Sequence, residues 1–222
     1  MLLAVDSSTQ WIGLAIYDGD QVIGEMAWRT QNHHTIELAP AIGSLLKRSG
    51  VQPSDLQALA VALGPGSFTC LRIGLAIIKG MALALHLPVV GVPTLDILAV
   101  AQPIQELPLA AILPAGRKRL AVGWYNAVDG RWVSQGEIKV CTIEELAQQI
   151  RKPTLVCGEL SANDRHVLAR KHKNVVLVSP AQSARRPAFL AEIAWKRWQG
   201  GQVDEVMSLA PIYIHVVESI PA

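Results

Sequence analysis

A chain of 222 residues, half of them hydrophobic, is long enough to bury a substantial core, as one large domain or two small lobes. Only 17% of residues are charged, which is low for a free-standing soluble monomer and points to a surface buried against another subunit. The net charge of +2 is carried by scattered basic residues, densest at Arg117-Lys118-Arg119 and Arg185-Arg186, which excludes a protein that grips nucleic acid unaided.

Leu2 to Val5 reads as a strand running into Asp6-Ser7-Ser8-Thr9, and Trp11 to Tyr17 as a second strand. The early Asp6 interrupts any apolar leader. Asp18-Gly19-Asp20 signals a tight turn into a third strand, Gln21 to Trp28. From Asn32 to Lys47, apolar residues at Ile36, Leu38, Ala39, Ile42, Leu45 and Leu46 predict an amphipathic helix, capped by Asn32 or Thr35 and stopped by Gly50. Leu56 to Leu63 is apolar without alternation, as in a strand covered on two faces.

A helix follows the glycine turn Gly64-Pro65-Gly66, from Thr69 to Leu85, with Pro88 beyond it. The apolar run Ile73 to Val92 carries Lys79, His86, Pro88 and three glycines and is not expected to span a membrane. Val89 to Val92 is a strand and Thr94 to Ala101 a helix. This order of elements is that of an RNase H-like lobe, two of which build an actin-like protein.

After Pro103 to Pro108 the pattern partly recurs. Strands are expected at Leu109 to Leu113, Leu120 to Tyr125 and Trp132 to Val140, with a turn at Asp129-Gly130. Helix Thr142 to Ile150, strand Leu155 to Cys157, helix Asn163 to Lys171, strand Val175 to Val178 and helix Pro187 to Gln199 complete the chain. The three cysteines, Cys70, Cys141 and Cys157, show no C-x-x-C spacing, which disfavours a disulfide framework or zinc knuckle and suits a reducing, cytoplasmic compartment.

Asp6-Ser7-Ser8-Thr9 has two readings. Backbone amides and hydroxyls there could cradle phosphates while Asp6 holds a metal ion, or the run could be an Asx turn closing a strand. Gly64-Pro65-Gly66-Ser67 is equally open. Gly64 and Gly66 permit a sharp turn, Ser67 and Thr69 can cap the next helix, and its N-terminus suits an anion, but a tight turn without ligand explains the same residues.

The following helix is apolar on nearly all sides, so part of its cover is expected from another subunit. His33-His34 has no third ligand at helical spacing and reads as a solvated helix start. The six tryptophans are dispersed and suit core or interface. Cys70 has no evident histidine partner and reads as an inert small residue.

Leu2–Thr9 (LLAVDSST), His34-Thr35-x-x-Leu38-x-Pro40, GPGSFTxLRIG over Gly64–Gly74 and LPVVGVPTLDILA over Leu87–Ala99 together resemble the TsaB (YeaZ) family. The resemblance implies an α/β, actin-like ATPase (ASKHA) fold of two RNase H-like lobes with mixed sheets, residues 1–103 and 104–222. It implies a non-catalytic subunit that pairs with the catalytic paralogue TsaD for threonylcarbamoyl transfer to a tRNA adenosine beside the anticodon, with the TsaE ATPase joining and tRNA reached through the complex. Pairing is implied through the first two long helices, with His34, Leu38, Ile42, Leu71, Gly74, Leu75, Ile78 and Met81 as contact residues, and the isolated chain is expected to form a homodimer.

No tightly bound cofactor is implied; ATP or ADP with magnesium belongs to the assembled complex, with Asp6, Ser7, Ser8, Thr9, Gly64, Gly66 and Ser67 as phosphate-binding candidates. The paralogue's His-x-x-x-His metal pair falls here on Thr94 and Leu98, so neither a metal site nor catalytic residues are expected. Three departures from the family pattern stand out: Cys70 where glycine is usual, Pro114-Ala115-Gly116-Arg117 at the opening of the second lobe, and Pro211 to His215 at its close. An ATP-dependent phosphotransferase is the alternative, with Asp129 or Glu137 as its second-lobe acid; a glycoprotease lacks metal ligands.

Overall fold

The computed structural model describes residues 1–31, 33–170 and 173–214. Its first half contains β1 (Leu2–Asp6), β2 (Trp11–Tyr17), β3 (Val22–Arg29), α1 (His34–Arg48), β4 (Ala58–Gly64), α2 (Phe68–Leu85), β5 (Val89–Pro93) and α3 (Thr94–Val100). The strands form one sheet in the order β3-β2-β1-β4-β5, antiparallel from β3 to β1 and parallel from β1 to β5. Asn32, a proposed helix cap, lies outside the described residues.

Side-chain alternation explains why these strands look uniformly apolar. Leu3, Val5, Leu59 and Val61 face α1 and α2, meeting Leu38, Ile42, Leu45, Leu75 and Ile78. Leu2, Ala4, Ala58, Ala60 and Ala62 point the other way, onto Leu190, Ala191 and Ala194. Alanine on that face lets the helix approach closely, and each fully buried leucine or isoleucine contributes roughly 1.5–3 kcal/mol.

The second half supplies β6 (Leu109–Pro114), β7 (Leu120–Val128), β8 (Arg131–Ser134), β9 (Lys139–Cys141), α4 (Ile143–Gln149), β10 (Thr154–Gly158), α5 (Ala162–Ala169), β11 (Val175–Leu177) and α6 (Pro187–Gln199). The sheet order is β11-β10-β6-β7-β8, with β9 also on β7. The single strand expected over Trp132–Val140 is broken in two. β8 pairs with Tyr125–Val128 and β9 with Leu120–Val122, and Gly136 at φ +95° turns the chain between them. Thr142 and Ser161 cap α4 and α5, each in a reciprocal box with an acid three residues on. The expected end of the latter helix, Lys171, lies outside the described residues.

The sheets draw on residues 2–93 and 109–177, but helices cross between them. α6 covers the first sheet, while Leu95, Leu98 and Ala99 of α3 pack on Leu109, Ala111 and Leu113 of the second. By length and composition α2 could cross a membrane. Here Cys70, Leu71, Gly74, Leu75, Ile78 and Ala82 bury one side of it against the first sheet.

Candidate functional site

The carboxyl ends of β1, β4 and β5 meet above the first sheet, where open α/β sheets place their ligand sites. Asp6 closes β1, and its Oδ1 accepts the Ser8 amide at 2.9 Å. This is the Asx turn. The Ser67 amide donates to the Ser8 carbonyl at 2.7 Å, and the Gly64 amide donates to Thr94 Oγ1 at 3.0 Å, which in turn bonds Ser8 Oγ at 2.8 Å. The two phosphate-cradle candidates are thus packed on each other.

That contact is what requires the small residues. A Cβ at Gly66 would collide with the Ser8 carbonyl, and one at Gly74 with Ser7 Oγ, which donates to the Cys70 carbonyl at 2.8 Å. Ser67 occupies the N-cap position of α2 without a side-chain capping bond. Gly64 takes φ +107°, the left-handed region that favours glycine.

The second half sends two charges into the same place. Arg185 Nε donates to Asp6 Oδ2 at 2.5 Å, Nη1 to Glu159, and Nη2 to Thr9 Oγ1 at 3.1 Å. Thr9 Oγ1 donates to Glu159 Oε1 at 2.9 Å and accepts the Trp11 amide at 3.1 Å. The Arg185 side chain is 2% exposed. Burial alone disfavours its charge, but Asp6 and Glu159 outweigh that and raise its pKa above the ordinary guanidinium value.

Both Asp6 oxygens are therefore occupied by protein donors, one of them a fixed cation. Glu159, directly after β10, is the second-half acid at this place. Asp129 sits in the β7–β8 turn and Glu137 between β8 and β9, exposed. Glu159 and Arg185 were missed in the sequence. The available signal was Gly158-Glu159 at the end of an apolar strand; Arg185 showed only as local charge density.

Several expectations need correction. His34, Leu38, Ile42, Leu71, Leu75 and Ile78 are buried in this chain's own core, at most 6% exposed, and Gly74 is closed off by Ser7. Helical periodicity turns those residues toward the sheet, so they cannot be the pairing surface; Met81 is half-buried. The open faces are Ile36, Ala39, Pro40 and Gly43 on α1, and Ala76, Gly80, Leu83 and Ala84 on α2.

His34 is likewise no solvated helix start: its Nε2 lies 2.9 Å from the Thr9 carbonyl. Its Nδ1 lies 3.6 Å from Cys70 Sγ, so that cysteine does have a histidine partner. His33 alone faces solvent, 3.6 Å from Glu37. Thr94 and Leu98, where the paralogue's metal pair falls, are buried, and a hydroxyl and an alkyl side chain do not fit as imidazole replacements. Among the described residues no group of three His, Cys, Asp or Glu could hold a metal ion.

A cleft of about 1060 Å³ opens beside this network, lined by Thr9, Trp11, Phe68, Cys70, Glu159 and Arg185 among others. Where the second half opens, Pro114, Ala115 and Gly116 line it too. Tyr213 of the closing segment stacks on Phe68 at 5.0 Å; His215 lies outside the described residues.

A family model described as TsaD, tRNA N6-adenosine threonylcarbamoyltransferase, matches residues 25–179. The chain belongs to this family. Within it, the chain is a TsaB (YeaZ) member. It is similar to the tRNA threonylcarbamoyladenosine biosynthesis protein TsaB of Bacillus subtilis, 27% identical over 98% of this chain and 95% of that one. The tRNA N6-adenosine threonylcarbamoyltransferase of Magnetococcus marinus is 33% identical, but over 51% of this chain and 34% of the transferase. Similarity end to end is thus to TsaB, and similarity to the transferase is confined to part of it.

Among solved structures, YeaZ from Pseudomonas aeruginosa superposes with a TM-score of 0.78 at 24% identity, covering 96% of this chain and 99% of that one. The ROK hexokinase of Thermus thermophilus shares the fold at a TM-score of 0.50 and 11% identity, covering 90% and 99%. The TsaB-family chain described here therefore has the actin-like ATPase fold with mixed sheets.

Proposed function

We propose that this chain is the non-catalytic partner of the threonylcarbamoyltransferase paralogue in making threonylcarbamoyladenosine in tRNA. Its contribution is architectural: it docks on the transferase and holds it in a competent arrangement, with the TsaE ATPase joining and tRNA bound by the assembly in the cytoplasm. The observation that carries this reading is the open apolar face of two adjacent helices.

On α1 the exposed residues Ile36, Ala39, Pro40 and Gly43 follow helical three- and four-residue spacing. On α2 Ala76, Gly80, Leu83 and Ala84 do the same, with Ile73, Ile77 and Met81 half-buried beside them. Ile36 is 69% and Leu83 57% exposed. Small residues between large apolar ones let a partner helix approach closely, and exposed apolar surface on neighbouring helices suits an interaction site. In isolation the chain pairs with itself through the same face.

The cleft floor supports a non-catalytic role. A magnesium ion held by Asp6 would have to displace the Arg185 guanidinium, so in this reading nucleotide and magnesium belong to the assembled complex. The test uses Gly43→Trp and Gly80→Trp. A Cβ at either glycine meets nothing within 4 Å, so both variants should fold normally. Each is expected to abolish co-purification with the transferase and reduce tRNA modification in a reconstituted assay; intact complex from both would sink the proposed face. Titration calorimetry of the isolated chain with magnesium–ATP should show no binding. Tight binding would restore the phosphotransferase alternative.

A further inference from the structure

Cys70 is the third residue of α2, where the helix dipole favours negative charge, and it lines the cleft between the sheets. Its Sγ lies 3.6 Å from Nδ1 of His34, the first residue of α1. The other ring nitrogen, Nε2, stands 2.9 Å from the Thr9 carbonyl oxygen. A carbonyl only accepts, so Nε2 carries the proton and Nδ1 of the neutral ring is left to accept from the thiol. Nucleophile, base and the group that orients the base stand in sequence, which is the arrangement that activates a thiol.

All three cysteines are buried, Cys70 at 6% exposure, but of the three only Cys70 lines this cleft. Burial pushes the Cys157 thiol up to about 12, and its Sγ lies 3.9 Å from the Leu98 carbonyl. Burial, helped by the charge of Glu145, raises Cys141 as well. The cleft also has a charge preference. Arg185 and Arg186 are paired with Asp6, Glu159 and Glu25. Arg29 and Arg165, also in the lining, donate to neutral oxygens, those of the Gln10 amide and the Val178 carbonyl.

We infer that Cys70 and His34 form a thiol–imidazole pair, a modification site reached through the cleft by anionic low-molecular-weight disulfides. The reaction is thiol–disulfide exchange. His34 Nδ1 takes the thiol proton, and the Cys70 thiolate attacks one sulfur of the small disulfide. A new S–S bond forms as the old one breaks, and the departing thiolate takes up the proton. The small disulfide is the oxidant, reduced by two electrons as Cys70 and one of its halves become the mixed disulfide.

The test treats the native full-length chain with limiting glutathione disulfide and, separately, with neutral hydroxyethyl disulfide, and maps adducts by mass spectrometry over time. Cys70 is expected to react at least about tenfold faster than Cys141 or Cys157. The anionic reagent should outpace the neutral one at low salt and lose that lead at high salt. His34→Gln keeps a donor for the Thr9 carbonyl but no base, and should slow Cys70 to the rate of the other two without changing the unfolding curve. Equal rates at the three cysteines, no preference for the anionic reagent, or a His34→Gln chain that reacts like the parent would each overturn the assignment. If His34→Gln misfolds, the ranking of the three cysteines in the unaltered chain decides.

Discussion

Replacing Arg185 with methionine keeps most of the side-chain volume and removes the charge that joins the two sheets. The guanidinium bridges Asp6 at the end of β1 and Glu159 after β10, with side-chain exposures of 3% and 19% for the two acids. Removing one partner of a buried ion pair leaves an uncompensated charge and costs about 3–5 kcal/mol. Here two carboxylates lose their cation at once and Thr9 Oγ1 loses a donor, so the upper part of that range is expected. For a chain of this length each kcal/mol lowers Tm by roughly 2–4 °C, so a loss of about 4–5 kcal/mol gives a drop of roughly 8–20 °C.

Thermal and urea unfolding followed by circular dichroism measure the loss directly. Arg185→Lys should recover part of it, because an ammonium keeps the charge but not the three-point fork. Asp6→Asn combined with Arg185→Met should cost less than the sum of the single changes, since one of the two orphaned charges is gone and only Glu159 stays unpaired. A loss below about 1 kcal/mol for Arg185→Met would refute the account, because that is the worth of an exposed pair.

Gly66→Ala should destabilise by about 1–3 kcal/mol, since the added Cβ meets the Ser8 backbone rather than a side chain that could swing away; an unfolding midpoint equal to the parent's would show that the two turns can separate freely. Asp96 tests a pH effect. Burial raises its carboxyl pKa, which the Tyr125 hydroxyl at 2.7 Å and the Arg197 charge only partly offset. The folded state then binds protons more tightly than the unfolded one, so stability falls as pH rises from the ordinary carboxylate value through the raised one. Asp96→Asn keeps an acceptor for Tyr125 and should remove that fall in urea unfolding across the acid range; an unchanged slope would assign it to other groups.

Most of the local structure could be read from the residues alone. Strand periodicity, the Asp18-Gly19-Asp20 turn, Pro187 opening α6 and the glycines at 64 and 66 are short-range signals, and each acts within a few residues of where it stands. The stretch from Trp132 to Val140 was misread as one strand because of Gly136, whose positive φ turns the chain between β8 and β9.

The site was less legible because its parts are far apart in the chain. Arg185 meets Asp6 across 179 positions and Glu159 across 26, and His34 meets Cys70 across 36. No periodicity links such pairs: packing of α1 and α2 on the first sheet brings His34 to Cys70, and the second half reaches back to Asp6 through Arg185, which also holds Glu159. The helices show the same division. Composition established that α2 is apolar nearly all round, but not which side lies on the sheet. The sequence by itself therefore determined that a large apolar helix surface exists after the glycine turn. Tertiary packing decided that Leu75 and Ile78 are core while Gly80 and Leu83 stay open, because the sheet can cover only one side of a helix.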